Sequence, residues 1–156
     1  MLIVACVDGS DLAPAVVDRA VEYARRREAD LHVVHVFQPP MTIYALEPGL
    51  AGEAEELEAA ERDAVWGPLA ERLDGSSYPW TRVDLHGYPV TQIVEYAKET
   101  GADLIVIGTR GRGELASFIL GSTSHGVIQQ APCDVLVVHA PRMERNQTKG
   151  TKATAS

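Results

Sequence analysis

The chain of 156 residues has the length of one ordinary domain, and with 46% apolar and 23% charged residues its composition is that of a globular protein, not a disordered one. Only 6% of the residues are aromatic, and β-branched runs alternate with Ala-rich, charged stretches, which argues against an all-β sandwich and for a mixed α/β protein. Fourteen Lys and Arg against 22 Asp and Glu give a formal charge of −8, which repels a polyphosphate backbone and argues against nucleic acid as a partner.

The run Met1 to Val7 reaches Asp8 without a basic leader or a long apolar stretch, so neither a signal peptide nor a membrane span is read here and a cytoplasmic location is expected. In that reducing compartment Cys6 and Cys133 are expected as buried free thiols. Leu2 to Val7 predicts a first strand, closed by Asp8-Gly9-Ser10. A helix is expected from Ser10 or Asp11, either of which can cap it, with Ala13, Val16, Val17, Ala20, Val21 and Ala24 on the buried side. It ends at Arg25-Arg26-Arg27, where cations suit the negative end of the helix dipole.

Leu31 to Phe37 predicts the second strand. The connection from Gln38 to Gly52, with Pro39, Pro40 and Pro48, has the length of a lid or a variable surface loop. A helix follows from Glu53 to about Leu73, with an acidic face of Glu55, Glu56, Glu58 and Asp63. Gly67-Pro68 is predicted to kink or break it, since Pro68 cannot donate to the carbonyl of Ala64. Thr81 to Leu85 is the third strand, and a helix from about Pro89 to Thr100 has Pro in its first turn and Gly101 as its stop. Asp103 to Ile107 is the fourth strand, Ser122 to Gln130 the last helix, and Asp134 to His139 the fifth strand.

The runs at 2–7, 104–107 and 135–138 are continuously apolar, as in strands buried on both faces, so a parallel sheet covered by helices is expected. Residues 1–140 form the domain. The remaining 141–156 are polar and without period, and are read as a mobile tail. That tail holds four basic residues and one acidic, which leaves the body with 10 basic against 21 acidic, a net of −11.

The segment with the most chemistry follows the fourth strand: Gly108-Thr109-Arg110-Gly111-Arg112-Gly113, and then Gly121-Ser122-Thr123-Ser124 opening the last helix. Glycines let backbone N–H groups approach an anion, a helix N-terminus adds its positive dipole end, and hydroxyls and arginines complete a phosphate site. Gly111-Arg-Gly113-Glu-Leu-Ala116 also fits the relaxed dinucleotide fingerprint, but it follows the fourth strand and no acidic residue closes the next one. No glycine is followed by Lys-Ser or Lys-Thr, so a Walker A loop is absent. If the first and fourth strands are neighbours at a reversal of strand order, Asp8 faces the Gly108 loop, where a carboxylate can hold ribose hydroxyls or a magnesium ion.

These residues resemble the ATP-binding class of the universal stress protein family. The spacing Gly108-x2-Gly111-x9-Gly121-Ser122 carries the likeness, together with Val7-Asp8-Gly9-Ser10, Leu31-His-Val-Val-His-Val36, Gly87-Tyr-Pro89 with Ile93, and Ala131-Pro-Cys-Asp-Val-Leu-Val-Val138, in the same order. The resemblance implies a five-stranded parallel sheet of order 3-2-1-4-5 with helices on both faces, like that of adenine nucleotide alpha hydrolases. It also implies a homodimer paired through the last strand, Val135 to Val138. By similarity Asp8 and Val36 flank the adenine and ribose of ATP, while the backbone from Gly108 to Gly113 and the turn from Gly121 to Ser124 hold its phosphates. Val7, Gly9 and Ser10 are counted with these cofactor-binding residues, and Asp8 is expected as an indirect partner of Mg²⁺. Family members without the glycine spacing do not bind ATP.

No catalytic residue is assigned. His32, His35, His86, His125 and His139 are scattered, His32 and His35 point to opposite faces of their strand, and Ser122 and Ser124 lack an evident base. The expected function is nucleotide-dependent regulation in a stress response. An ATP-hydrolysing or adenylating enzyme of the same fold is the alternative, although the serine- and glycine-rich loop and activating lysine of adenylating enzymes are missing. A phospho-receiver needs paired acids after the first strand and a Lys after the fifth; Asp8 stands alone and His139 takes the second place.

Overall fold

The computed structural model describes residues 1–38, 51–109 and 120–139. Among them, β1 (Leu2–Val7), β2 (Asp30–Phe37), β3 (Thr81–His86), β4 (Leu104–Gly108) and β5 (Asp134–Val138) form one all-parallel sheet in the order β3-β2-β1-β4-β5. The helices are α1 (Ala13–Arg27), α2 (Ala51–Gly75), α3 (Pro89–Thr100) and α4 (Ser122–Gln130). Ile3 pairs with Leu31 on one side and with Leu104 on the other, so β1 is central and the chain winds outward from it in both directions. Crossovers of a single hand place α1 and α2 on one face, and α3 and α4 on the opposite one.

Each face has its own core. Ile3, Ala5, Leu31, Val33 and Val106 pack with Val16, Val17 and Ala20 of α1 and with Val65, Trp66, Leu69 and Leu73 of α2. Val4, Cys6, Val34, Ile105 and Ile107 pack with Ile93 and Ala97 of α3 and Val127 of α4. This is why β1 and β4 are apolar without alternation: both sets of side chains are covered.

Three expectations are corrected. Helix α1 starts at Ala13 and not at Ser10 or Asp11; its N-cap position is Leu12, and no side chain caps it. The backbone turns first instead, with the Ser10 carbonyl accepting from the Ala13 N–H at 3.1 Å, and Pro14 then fixes the first turn. Helix α2 is not broken at Gly67-Pro68 but runs continuously with Pro68 inside it. A proline within a helix costs about 3 kcal/mol. Val65, Trp66, Leu69 and Leu73 are buried on both sides of it, each contributing about 1.5–3 kcal/mol, so packing outweighs the lost hydrogen bond. Third, Cys6 is buried but Cys133 only half-buried; both are free thiols. The lid expected in the 38–52 connection and the tail at 141–156 lie, but for Gln38, Ala51 and Gly52, outside the described residues.

The edge of the α2 layer is held by a ladder of rings: Arg82 lies 4.5 Å from the Trp66 ring, which stacks on Trp80 at 6.0 Å, and Trp66 Nε1 donates to Asp84 at 2.7 Å. On the other face α3 and α4 meet with no slack, since a Cβ on Gly126 would stand 2.8 Å from Val90 Cγ2. Val90 is buried and β-branched, so it has no alternative rotamer to give. Gly126→Ala is therefore expected to destabilise the protein by about 1–3 kcal/mol despite its better helix propensity. Gly67 is the contrary case: it is exposed, with open space around its Cβ position, and Gly67→Ala is expected to stabilise by about 0.5–1 kcal/mol. Urea denaturation of the two variants beside the parent checks both signs.

Candidate functional site

The carboxyl ends of β1 and β4 lie side by side, and α1 packs on one face of the sheet while α4 packs on the other. At the end of β1 the Asp8 side chain accepts the Ser10 N–H at 3.0 Å, which bends the chain away from the sheet. At the end of β4 the Thr109 N–H donates to the Val138 carbonyl at 2.9 Å, and the Thr109 carbonyl accepts from the Gly121 N–H at 2.6 Å. The buried Ser124 hydroxyl donates to the Gly108 carbonyl at 2.5 Å. Two of these bonds stitch the start of α4 to the end of β4, and the third ties that end to β5.

Between these ends opens a cleft of about 590 Å³, its mouth included. Its depth is apolar: Cys6, Val34, Ile93 and Ile107 from the sheet and α3, with Leu12, Ala13 and Val16 from the α1 side. Its polar groups are Asp8 and Ser10 on one lip and Gly108, Thr123 and Ser124 on the other. Val36 also lines it, and the register explains why: β1 ends at the pair Val7–His35, so β2 runs on past it into the opening. Helix α4 has Gly121 at its N-cap with no side-chain cap, and its first turn points its N–H groups toward this end of the sheet.

Of the residues singled out from sequence, Val7, Asp8, Ser10, Val36, Gly108, Thr123 and Ser124 line one cleft. Gly9, Thr109, Gly121 and Ser122 are adjacent in the chain without lining it. Arg110, Gly111, Arg112 and Gly113 lie outside the described residues. No side chain caps α4, and Ser124 is turned inward to Gly108. Gly121 has φ −61° and ψ 157°, which any residue adopts, so conformational freedom is not what requires glycine there. Sequence reasoning gave no role to Cys6, Leu12, Ala13, Val16, Val34, Ile93 and Ile107, because their apolar periodicity reads equally as core. Pro89 and Ile93 stood in a family-like block, which was the available signal.

Burial pushes the Cys6 thiol up to about 12, with the nearby Cys133 adding to it, so this cleft-floor sulfur is held as the neutral thiol at neutral pH. Behind the cleft His35 is buried, 3.5 Å from Glu61 and 3.8 Å from Asp84, and burial pulls its imidazole below the usual histidine range. On the opposite face His32 Nδ1 meets the Tyr96 hydroxyl at 2.7 Å. Among the described residues no three metal-binding side chains converge, and no helix is long and apolar enough to cross a membrane.

The fold and cleft define an open, doubly wound α/β sheet with its crevice where strand order reverses, the place at which such sheets take ligands. The model of the Universal stress protein family matches residues 1–139, and the chain belongs to that family. It is 30% identical over 139 residues to Universal stress protein YxiE of Bacillus subtilis, covering 85% of this chain and 94% of that protein. The structure of Universal stress protein UspA from Lactobacillus plantarum matches with a TM-score of 0.80 at 29% identity, covering 88% of this chain and 97% of that one. A universal stress protein in complex with cAMP matches at 0.60 and 29% identity, covering 90% and 98% of the two chains. The universal stress protein from Archaeoglobus fulgidus in complex with dAMP matches at 0.65 and 26%, covering 88% and 96%.

The two cysteines give a direct test of cleft accessibility. A small thiol reagent at pH 8 is expected to modify half-buried Cys133 in the native protein and Cys6 only after denaturation, read by mass spectrometry of the two peptides.

Proposed function

We propose that the cleft binds an adenine nucleotide, ATP with Mg²⁺, and that its occupancy regulates how this protein pairs with itself or with partners in a cytoplasmic stress response. The observation that carries this reading is the set of chemistries that line the cleft: an apolar slot, a carboxylate on one lip and a helix N-terminus on the other. A purine ring fits the first, ribose hydroxyls donate to the second, and phosphates accept from the third. The cAMP and dAMP complexes of related proteins support the choice of base.

Asp8 is the one carboxylate on the cleft wall among the described residues, so Mg²⁺ would reach the protein chiefly through phosphate oxygens and water, with Asp8 as an indirect partner. Arg110 and Arg112, with the glycines between them, are assigned to the phosphates on sequence grounds. Pairing between copies is assigned to β5, an edge strand whose Val135, Leu136 and Val137 remain half-buried. Within this reading 1–140 is the working domain and 141–156 an appended basic tail.

Isothermal titration with ATP, AMP and cAMP tests the proposal. The native protein is expected to bind ATP with 1:1 stoichiometry. Asp8→Ala is expected to weaken binding about tenfold, or ~1.4 kcal/mol, and Gly111→Ala/Gly121→Ala more than that. No heat of binding from the native protein, or unchanged affinity in the double variant, overturns it.

A further inference from the structure

Three hydroxyl residues in succession open α4, and steps of about 100° per residue turn each of them to a different side. Ser122 is exposed and lies off the cleft, Thr123 is half-buried and lines it, and Ser124 borders it while being only 3% exposed. Ser124 Oγ donates to the Gly108 carbonyl at 2.5 Å. A serine hydroxyl has one hydrogen to give, so this side chain keeps no donor for a ligand. What its oxygen still offers is lone pairs, which an anion avoids.

The backbone around Ser124 divides in the same way. The Gly121 N–H is committed to the Thr109 carbonyl at 2.6 Å, and the first bond of the helix runs from the His125 N–H to the Gly121 carbonyl at 2.9 Å. Between them, the N–H groups of Ser122, Thr123 and Ser124 find no acceptor among the described residues. These three donors, with the Thr123 hydroxyl, are what α4 can present to an anion at the cleft. Their aim depends on how the first turn sits on the sheet. Farther along, the helix packs through Gly126 and Val127. In the first turn, the one side-chain hydrogen bond to the sheet among the described residues is that from Ser124 to Gly108, the last residue of β4.

We infer that Ser124 is a positioning residue for phosphate binding: its hydroxyl does not touch the ligand but fixes the first turn of α4 on β4, so that the N–H groups of residues 122–124 are aimed before a nucleotide arrives. The inference rests on the nucleotide reading above and deepens it, giving the anion to main-chain donors and Ser124 to their support. Donors already held in place need no ordering when the ligand binds. Loosening them therefore weakens the hold on the charged end of the ligand. The base and ribose contacts, which the same reading gives to the apolar slot, Val36 and Asp8, stay as they were.

Titration of the full-length protein and of Ser124→Ala with ATP, and with adenosine in competition with ATP, tests it. Ser124→Ala is expected to weaken ATP about threefold to tenfold while adenosine changes by less than about twofold. A general loss of stability would lower both alike and leave their ratio where it was. Ser124→Thr, which keeps the hydroxyl, is expected to keep the native ratio. In the ligand-free protein, exchange of the His125 amide, followed by NMR, is expected to quicken about threefold or more in Ser124→Ala relative to that of Val127. Four results overturn the inference: unchanged ATP affinity in Ser124→Ala, an equal loss for ATP and adenosine, an unchanged His125 amide, or a ratio in Ser124→Thr as low as in Ser124→Ala. Failure of the native protein to bind ATP or adenosine overturns the nucleotide reading and this inference with it, a result distinct from those four.

Discussion

Everything at the working end of this protein depends on β1 pairing with β2 on one side and β4 on the other. A parallel sheet is linked by crossovers of one hand, so a chain that begins in the middle must place its next helices on one face and its later ones on the opposite face. At the carboxyl edge of β1 and β4 the helices α1 and α4 lie on opposite faces and leave a gap that neither fills. The cleft is thus a product of topology before it is a product of side chains. The side chains then decide what the gap accepts, and here they make it apolar below and polar at the rim.

The stitching around the cleft is mostly backbone. Thr109 ties β4 to β5 and to Gly121, and Ser124 bonds the Gly108 carbonyl, so the rim is shaped by main-chain groups whose positions do not depend on the identity of most neighbouring residues. This leaves Ser10, Thr123 and the carboxylate of Asp8 able to face the opening from a fixed frame.

Strand positions were readable because parallel strands covered on both faces are continuously apolar, and the runs at 2–7 and 104–107 admit little else. Helix limits at Pro89, Gly101 and Gln130 were readable from punctuation residues. The start of α1 was not, because Ser10 and Asp11 look like caps, while the real turn is made by Asp8 bonding the Ser10 N–H, a contact two residues apart that leaves no periodic trace. The integrity of α2 was hidden for a different reason: Pro68 is a local signal, and the burial of Trp66 and Leu73 that overrides it is tertiary. At the site, the polar rim was legible from its residue types, whereas the apolar slot was not. Val34, Ile93 and Ile107 carry the same pattern whether they face a helix or an opening.

The absence of slack between Gly126 and Val90 has a mechanical meaning for the cleft. Helices α3 and α4 interlock there backbone to side chain, and each also contributes cleft wall, Ile93 from one and Thr123 with Ser124 from the other. The Ser124–Gly108 bond ties this pair to the end of β4. A change in the Gly126–Val90 contact would therefore shift two walls of the cleft together, one on each helix.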